Sequence, residues 1–255
     1  MTTKILLALI MSGTIGAIAG YLGSLMLSKR MALMGGALGH LTLPGVALAL
    51  LYDFDVSVGA TLFLAFGVLI IWLLEQKTRL HLEALTAVVF SASLATAFLF
   101  LPKEEIDIAL LGDVSQITQA TVLITVIISI ILFFTVKKIY SSMVLASISS
   151  DLAQTSGVNL KLYNALYLLC IAVTVALGVR IVGGLMTAAL LAIPACTAKN
   201  ISSNLSQYTV ISTITGSLAC ILGVVAYAIL DIPAGPLIII ASALLFLISV
   251  FKQKH

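Results

Sequence analysis

His40 is the residue whose type and position most demand a chemical explanation. It stands in Gly35-Gly36-Ala37-Leu38-Gly39-His40-Leu41-Thr42-Leu43-Pro44-Gly45, near the middle of a long apolar run. An imidazole so far from water has few options. It bonds to a neighbouring segment, faces an aqueous path, or ligates a metal ion, for which imidazole is a common donor. Pro44 adds a second polar feature at the same place. It carries no N–H, so the carbonyl of His40, four residues back, loses its helical donor. The residues predict a bent helix with a free acceptor beside a polar side chain. Interrupted helices of this kind are tolerated where they line a cavity or are buried in protein. His40 therefore reads as a pathway residue or cation ligand, or else as a neutral imidazole bonded to another span.

Pro194 marks a second interrupted segment, Gly183 to Ala198, where the carbonyl of Leu190 is freed by the same logic. Thr187 and Thr197 are placed to re-satisfy backbone groups there. Cys196 and Met186 offer soft ligands in the same stretch, though the three cysteines (Cys170, Cys196, Cys220) all lie in apolar runs without CxxC spacing and read as small buried hydrophobes. Asp231-Ile-Pro233-Ala-Gly235-Pro236 is a rigid turn, while His81 and His255 read as solvated. No GxxxxGK[ST] is present and no Gly-Lys pair occurs, so this chain cannot cradle ATP in a P-loop. Nor is there an HExxH, a Cys/His quartet or a credibly spaced Ser/His/Asp set. These absences argue against an enzyme and against a resident cofactor.

The elements that hold these residues follow from composition. Of 255 residues, 61% are hydrophobic and 9% charged, against about 25% charged in soluble domains. So few charges cannot cover a water-facing surface, and lipid is the natural solvent for the excess. Continuous apolar runs select helices over barrel strands, which alternate. Nine runs reach or approach the roughly 20 residues a span needs: Ile5–Leu27, Met31–Leu51, Val56–Leu74, Ala84–Leu101, Gln119–Val136, Leu162–Val179, Gly183–Ala198, Tyr208–Leu230 and Ala234–Phe251. The expected fold is an all-α membrane bundle of eight or nine spans, in one domain covering residues 1–255.

Charge sets the orientation. With the N-terminus outside, the inner loops hold Lys29, Arg30, Lys77, Arg79, Lys137, Lys138, Lys161, Lys199, Lys252 and Lys254. Only Lys4, Lys103 and Arg180 fall outside, as the positive-inside rule requires. The acids Asp53, Asp55, Glu104, Glu105, Asp107, Asp113 and Asp231 fall on the outer side. The C-terminus is then cytoplasmic, and the net charge of +3 needs no nucleic-acid partner. Ser12, Gly16, Gly20 and Ser24 share one face of the first span, and Gly35 and Gly39 repeat the spacing on the second. Small residues there let helices approach closely, within one subunit or between two. The inner loop from Lys138 to Leu160 is the longest. Within it Asp151-Leu152-Ala153-Gln154 has the form of an N-cap with a reciprocating residue, Gly157 is a plausible stop, and Asn159 can cap the next helix. A short helix at the cytoplasmic surface is expected there, suited to docking a partner.

Taken together these features resemble the membrane permeases of bacterial zinc, manganese and iron ABC importers, whose fold is similar to that of the vitamin B12 importer's permease. The family run Arg-x-Ala-Leu-x-Gly-Asp-Ala-Leu-Ser-His, followed by Leu-Pro-Gly-Val-Ala, is matched from Arg30 to Ala47. Gly183 to Ala198 and the Pro233–Pro236 turn match two further family segments, and Ala153-Gln154-x-x-Gly157 looks like the segment that docks on the ATPase. The resemblance implies a second permease subunit, separate P-loop ATPase subunits, an external metal-binding protein and a bacterial inner-membrane location. It implies a coupling role for Asp151, Leu152, Ala153, Gln154 and Gly157, and a path shaped by Pro44 and Pro194. One departure matters: Gly36 stands where the family has the Asp that pairs with the His, so only His40 carries over as a metal ligand. A self-contained secondary transporter or channel is the alternative. It would ordinarily use several intramembrane acids, and no Asp or Glu falls inside the predicted spans.

Overall fold

The computed structural model describes residues 2–29, 31, 34–54, 56–78, 80–100, 117–183 and 186–252. Every regular element among them is a helix: α1 (Thr2–Ser28), α2 (Met34–His40), α3 (Leu43–Leu51), α4 (Val56–Lys77), α5 (Leu82–Phe100), α6 (Gln119–Ile148), α7 (Ser150–Thr155), α8 (Leu160–Val182), α9 (Thr187–Ile201), α10 (Leu205–Leu230) and α11 (Ala234–Phe251). Arg30, Asp55, Arg79, Lys103, Glu104, Glu105, Asp107, Asp113, Lys254 and His255, assigned above to loops or to the C-terminal tail, lie outside the described residues, as does the side chain of Arg180.

Six helices, α1, α4, α6, α8, α10 and α11, are long and apolar enough to cross a membrane, and α5 contributes a shorter apolar stretch, Leu82–Ala97. The second expected span is two helices of 7 and 9 residues. At 1.5 Å per residue, each reaches roughly half or less of the ~30 Å hydrocarbon core. The seventh expected span is the 15-residue α9. Its start is corrected as well: Gly183, at φ 83°, terminates α8. The fifth expected span is α6, which runs to Ile148, well past the expected end at Val136. Lys137 and Lys138 did not stop it, because their side chains reach solvent while Val136, Ile139, Tyr140 and Met143 stay buried on the opposite stripe.

The bundle is organised around α1. Its small-residue face packs antiparallel on α10, so close that a Cβ on Gly16 would strike the Gly216 carbonyl and one on Gly20 the Ser212 carbonyl. The Ser212 hydroxyl donates to the Gly20 carbonyl at 2.6 Å across the seam. Within this chain, then, the stripe read from the sequence is an internal packing face. Gly23 meets the Leu191 backbone on α9, and Ser24 bonds to the Tyr140 hydroxyl of α6 at 3.0 Å. The outward faces of α4, α6, α10 and α11 expose Leu62, Phe66, Ile131, Phe134, Ile214 and Leu247, as lipid-facing helices do.

Candidate functional site

The helix carrying His40 is broken rather than bent. α2 stops at His40 itself, and the turn Leu41-Thr42 closes with tight bonds from Leu41 N–H to Leu38 O (3.2 Å) and from Thr42 N–H to Gly39 O (3.2 Å). The Thr42 hydroxyl also donates to the Gly39 carbonyl at 2.6 Å. Pro44 falls in the first turn of α3, where a missing N–H costs nothing. The proline thus starts a new helix and leaves the old one to end at the histidine.

α3 is pinned from outside by α4: Gly45 and Gly59 are in backbone contact, and Leu41 covers Gly67. α5 runs beside α2 and α3. The His40 ring lies 5.2 Å from that of Phe90, tilted by 42°. Between α2 and α5 opens a cavity of about 340 Å³, lined by Gly36, Ala37, His40, Glu83, Thr86, Ala87 and Phe90. His40 is half-buried, and its Nδ1 atom is buried without a hydrogen-bond partner among the described residues. The neutral imidazole bonded to another span, one of the two sequence readings, is therefore not what this geometry shows at Nδ1. A second cavity of about 370 Å³ continues along α3, apolar, past Pro44, Leu48, Phe63 and Thr96.

The glycine in the carboxylate's place has a packing reason. A Cβ on Gly36 would lie 2.8 Å from the Ala188 Cβ of α9. Ala188 has no flexible end to swing aside, so any side chain at 36 forces α2 and α9 apart. Gly35 fits against the flexible end of the Leu191 side chain of α9, whose Cδ1 lies 2.7 Å from where a Cβ would be.

Pro194 does not interrupt α9, which continues through it from Thr187 to Ile201. Of the threonines expected to repair the damage, Thr197 bonds one turn back along α9 to Ile193 O (2.9 Å), and Thr187 reaches Gly183 O at the end of α8 (2.7 Å). Thr215 of α10 reaches the Pro194 carbonyl at 3.3 Å. Pro194 and Ala195 are buried against neighbours, whereas Met186 and Cys196 are half-buried and apart from His40's cavity lining. Cys170 and Cys220 are buried. No group of three His, Cys, Asp or Glu residues gathers among the described residues.

The surface helix is where the sequence put it, but smaller. α7 spans Ser150–Thr155, and its N-cap is Ser149, whose hydroxyl accepts from Leu152 N–H at 3.3 Å; Asp151 sits in the first turn instead. Gly157, at φ 80°, reverses the chain, and the Asn159 side chain caps α8 through Leu162 N–H at 3.2 Å. Ala153 is fully buried, so it fastens α7 to the bundle. Asp151, Leu152, Gln154 and Gly157 are exposed, Leu152 by 57%.

A polar network that the sequence reading missed closes the same end of the bundle. Lys29 donates to Asn164 Oδ1 at 3.2 Å, and Asn164 donates to Glu75 Oε1 at 2.8 Å. The Lys29 ammonium also lies 4.8 Å above the Tyr167 ring. Burial pulls Lys29 down to about 8, opposed by the attraction of Glu75. Glu75 and Glu83 lie within helices, in the last turn of α4 and the first turn of α5, just beyond the spans expected from the sequence. A helix can run through a carboxylate when a neighbour supplies a donor, and nothing local in the sequence announces Asn164 as that neighbour.

Comparison with known proteins agrees with this architecture. The manganese transport system membrane protein MntC of Listeria monocytogenes is 28% identical, covering 97% of this chain and 90% of its own length. The high-affinity zinc uptake system membrane protein ZnuB of Buchnera aphidicola subsp. Acyrthosiphon pisum is 30% identical over 92% of each chain. Among solved structures, PsaBC from Streptococcus pneumoniae in complex with Fab superposes with a TM-score of 0.81 at 25% identity, over 96% of this chain and 90% of that one. The profile of the ABC 3 transport family matches residues 1–253, and the chain belongs to that family.

Proposed function

We propose that the chain is the membrane permease subunit of an ATP-driven importer of a divalent metal ion, manganese or zinc in first place and iron as a third cargo of the same chemistry. The observation that carries this reading is the broken second span, which ends on His40 at the wall of a cavity. The names of the relatives, manganese and zinc transport membrane proteins, support the cargo. In this reading the metal is substrate and passes through.

In this reading α2 with α3, α5 and α9 complete eight or nine membrane crossings with the six long helices. The N-terminus is outside and the C-terminus cytoplasmic in a bacterial inner membrane. Two permease subunits enclose the path, and an external metal-binding protein delivers the ion. Separate P-loop ATPases dock on α7, where Ala153 anchors the helix and Leu152 and Gln154 offer the contact. ATPase movement reaches the bundle through α7 and its flanking helices α6 and α8. His40→Ala is expected to lower manganese or zinc uptake in cells at least tenfold while assembly with the ATPase persists. Unchanged uptake would remove His40 from the path. Leu152→Asp, on an exposed position, is expected to leave the bundle folded and abolish co-isolation with the ATPase.

A further inference from the structure

We infer that the cavity between α2 and α5 is a cation vestibule in which Glu83 supplies the carboxylate that position 36 cannot, facing the same ion as His40. The inference deepens the metal-import reading and rests on it.

Three observations converge. His40 lines the cavity, and its buried Nδ1 has no partner among the described residues, so the ring is not tied to a neighbouring span through that atom. A carboxylate at position 36 is crowded out in this packing, because a Cβ on Gly36 would lie 2.8 Å from the Ala188 Cβ and one helix would have to shift. On the facing helix, Glu83 lines the same cavity as Gly36 and His40 and is exposed. The charge missing from one wall is present on the other.

Register assigns the two groups their places. α5 runs parallel to α2, with Phe90 at the level of His40 and Glu83 seven residues earlier, roughly 10 Å along the axis at 1.5 Å per residue. A volume of about 340 Å³ exceeds that of a divalent ion with six waters, near 180 Å³ at ~30 Å³ per water. A hydrated ion therefore fits between the two. Glu83 attracts it by charge at one end, and the His40 ring lines the other. Hard and borderline divalent cations accept both carboxylate and imidazole, so one ion can pass from the first group to the second. The remaining walls, Ala37, Ala87 and Phe90, are apolar and give the ion little reason to stay, as a path requires. Thr86 adds a hydroxyl, whose proton is already committed to the Leu82 carbonyl at 2.8 Å, leaving its oxygen free to accept.

Glu83 also sits in the first turn of α5, where an acid complements the helix dipole. That role alone predicts altered stability and unaltered metal binding, so the two are separable. The test uses the full chain in lipid nanodiscs titrated with Mn²⁺ alone, read by the loss of the free-ion EPR signal. Uptake of manganese by cells is measured alongside. Glu83→Gln is expected to weaken Mn²⁺ binding at least tenfold and Glu83→Asp to retain most of it. Combined with His40→Ala, Glu83→Gln should cost less than the product of the two single effects, since both act on one ion. Should Glu83→Gln not fold, carbodiimide labelling of Glu83 in the unaltered chain gives the same answer: Mn²⁺ is expected to slow it. Binding unchanged in Glu83→Gln, or labelling indifferent to Mn²⁺, overturns the vestibule. If His40→Ala nevertheless lowers uptake, the import reading stands without it. Mn²⁺ held by Glu83 and His40 in a chain whose loss leaves uptake unchanged would keep the site and overturn the import reading.

Discussion

The α1–α10 seam and the α2–α5 region both rely on glycine, and they use it to opposite ends. Along the seam, Gly16, Gly20 and Gly216 bring two long helices into backbone contact, and Ser212 ties them with a 2.6 Å hydrogen bond. Nothing is left open there. In the α2–α5 region, Gly36 lets α2 lean on α9, while the other side of α2 opens on a cavity and the helix itself ends after two turns. Long helices in continuous contact resist relative motion. Short helices joined by a two-residue turn, with cavities alongside, can shift without breaking many contacts. The molecule thus has a continuously packed frame around α1 and a wall with cavities beside it around His40, the contrast that the proposed path would use.

Breaking the frame should have the largest effect. Gly20→Ala drives a methyl group into the Ser212 carbonyl, and overpacking against backbone costs about 3 kcal/mol. Gly20→Leu is expected to prevent accumulation in the membrane altogether, measured by immunoblot of membrane fractions. Normal levels and an unchanged melting temperature for Gly20→Ala would show that the seam yields, and the contrast would collapse.

Repairing the break should affect function more than stability. Pro44→Ala restores an N–H to the first turn of α3 and allows α2 and α3 to fuse. The expected outcome is a stability change within about 1 kcal/mol and a severalfold fall in metal uptake. Equal losses of both would mean that Pro44 is only a packing residue.

Filling position 36 tests the wall from the other side. Gly36→Asp recreates the family's carboxylate but must displace Ala188. It is expected to lower stability by about 2 kcal/mol without raising uptake, measured on purified protein and in cells. A gain of uptake would show that α9 moves aside.

The smallest effect expected is electrostatic. Lys29, at about 8 in the folded chain, sits below its ordinary 10.5. Between those values the unfolded chain binds more protons than the folded one, so stability rises with pH across that window and is flat below it. The melting temperature of the unaltered chain should therefore gain on that of Lys29→Met between pH 7.5 and 9.5. Parallel curves would show that Lys29 reaches solvent freely.

Much of this was legible in the residues. Gly157 and Asn159 act as punctuation because backbone sign and side-chain capping are local matters. The small-residue face of α1 was readable from its four-residue spacing, though the spacing could not say whether its partner was α10 or another subunit. Pro44 announced a discontinuity, but a bend and a break share one sequence. The outcome depended on Thr42 and on α4 packing against α3 through Gly45 and Gly59. The length of α6 was misjudged because Lys137 and Lys138 look like a membrane boundary, and only tertiary contacts to Met143 and Tyr140 reveal a buried stripe beyond it.

What the sequence by itself determined is the solvent and the local grammar: lipid around helices, with a histidine four residues ahead of a proline that makes its helix discontinuous. Composition, periodicity and missing N–H groups act at short range, so they need no fold to be read. Only the tertiary structure decided what stands opposite. It put Glu83 across the cavity from His40, Asn164 between Lys29 and Glu75, and Ala188 against the glycine that replaces a carboxylate. These pairs are 43, 135, 89 and 152 residues apart in the chain, and no local rule connects positions so distant.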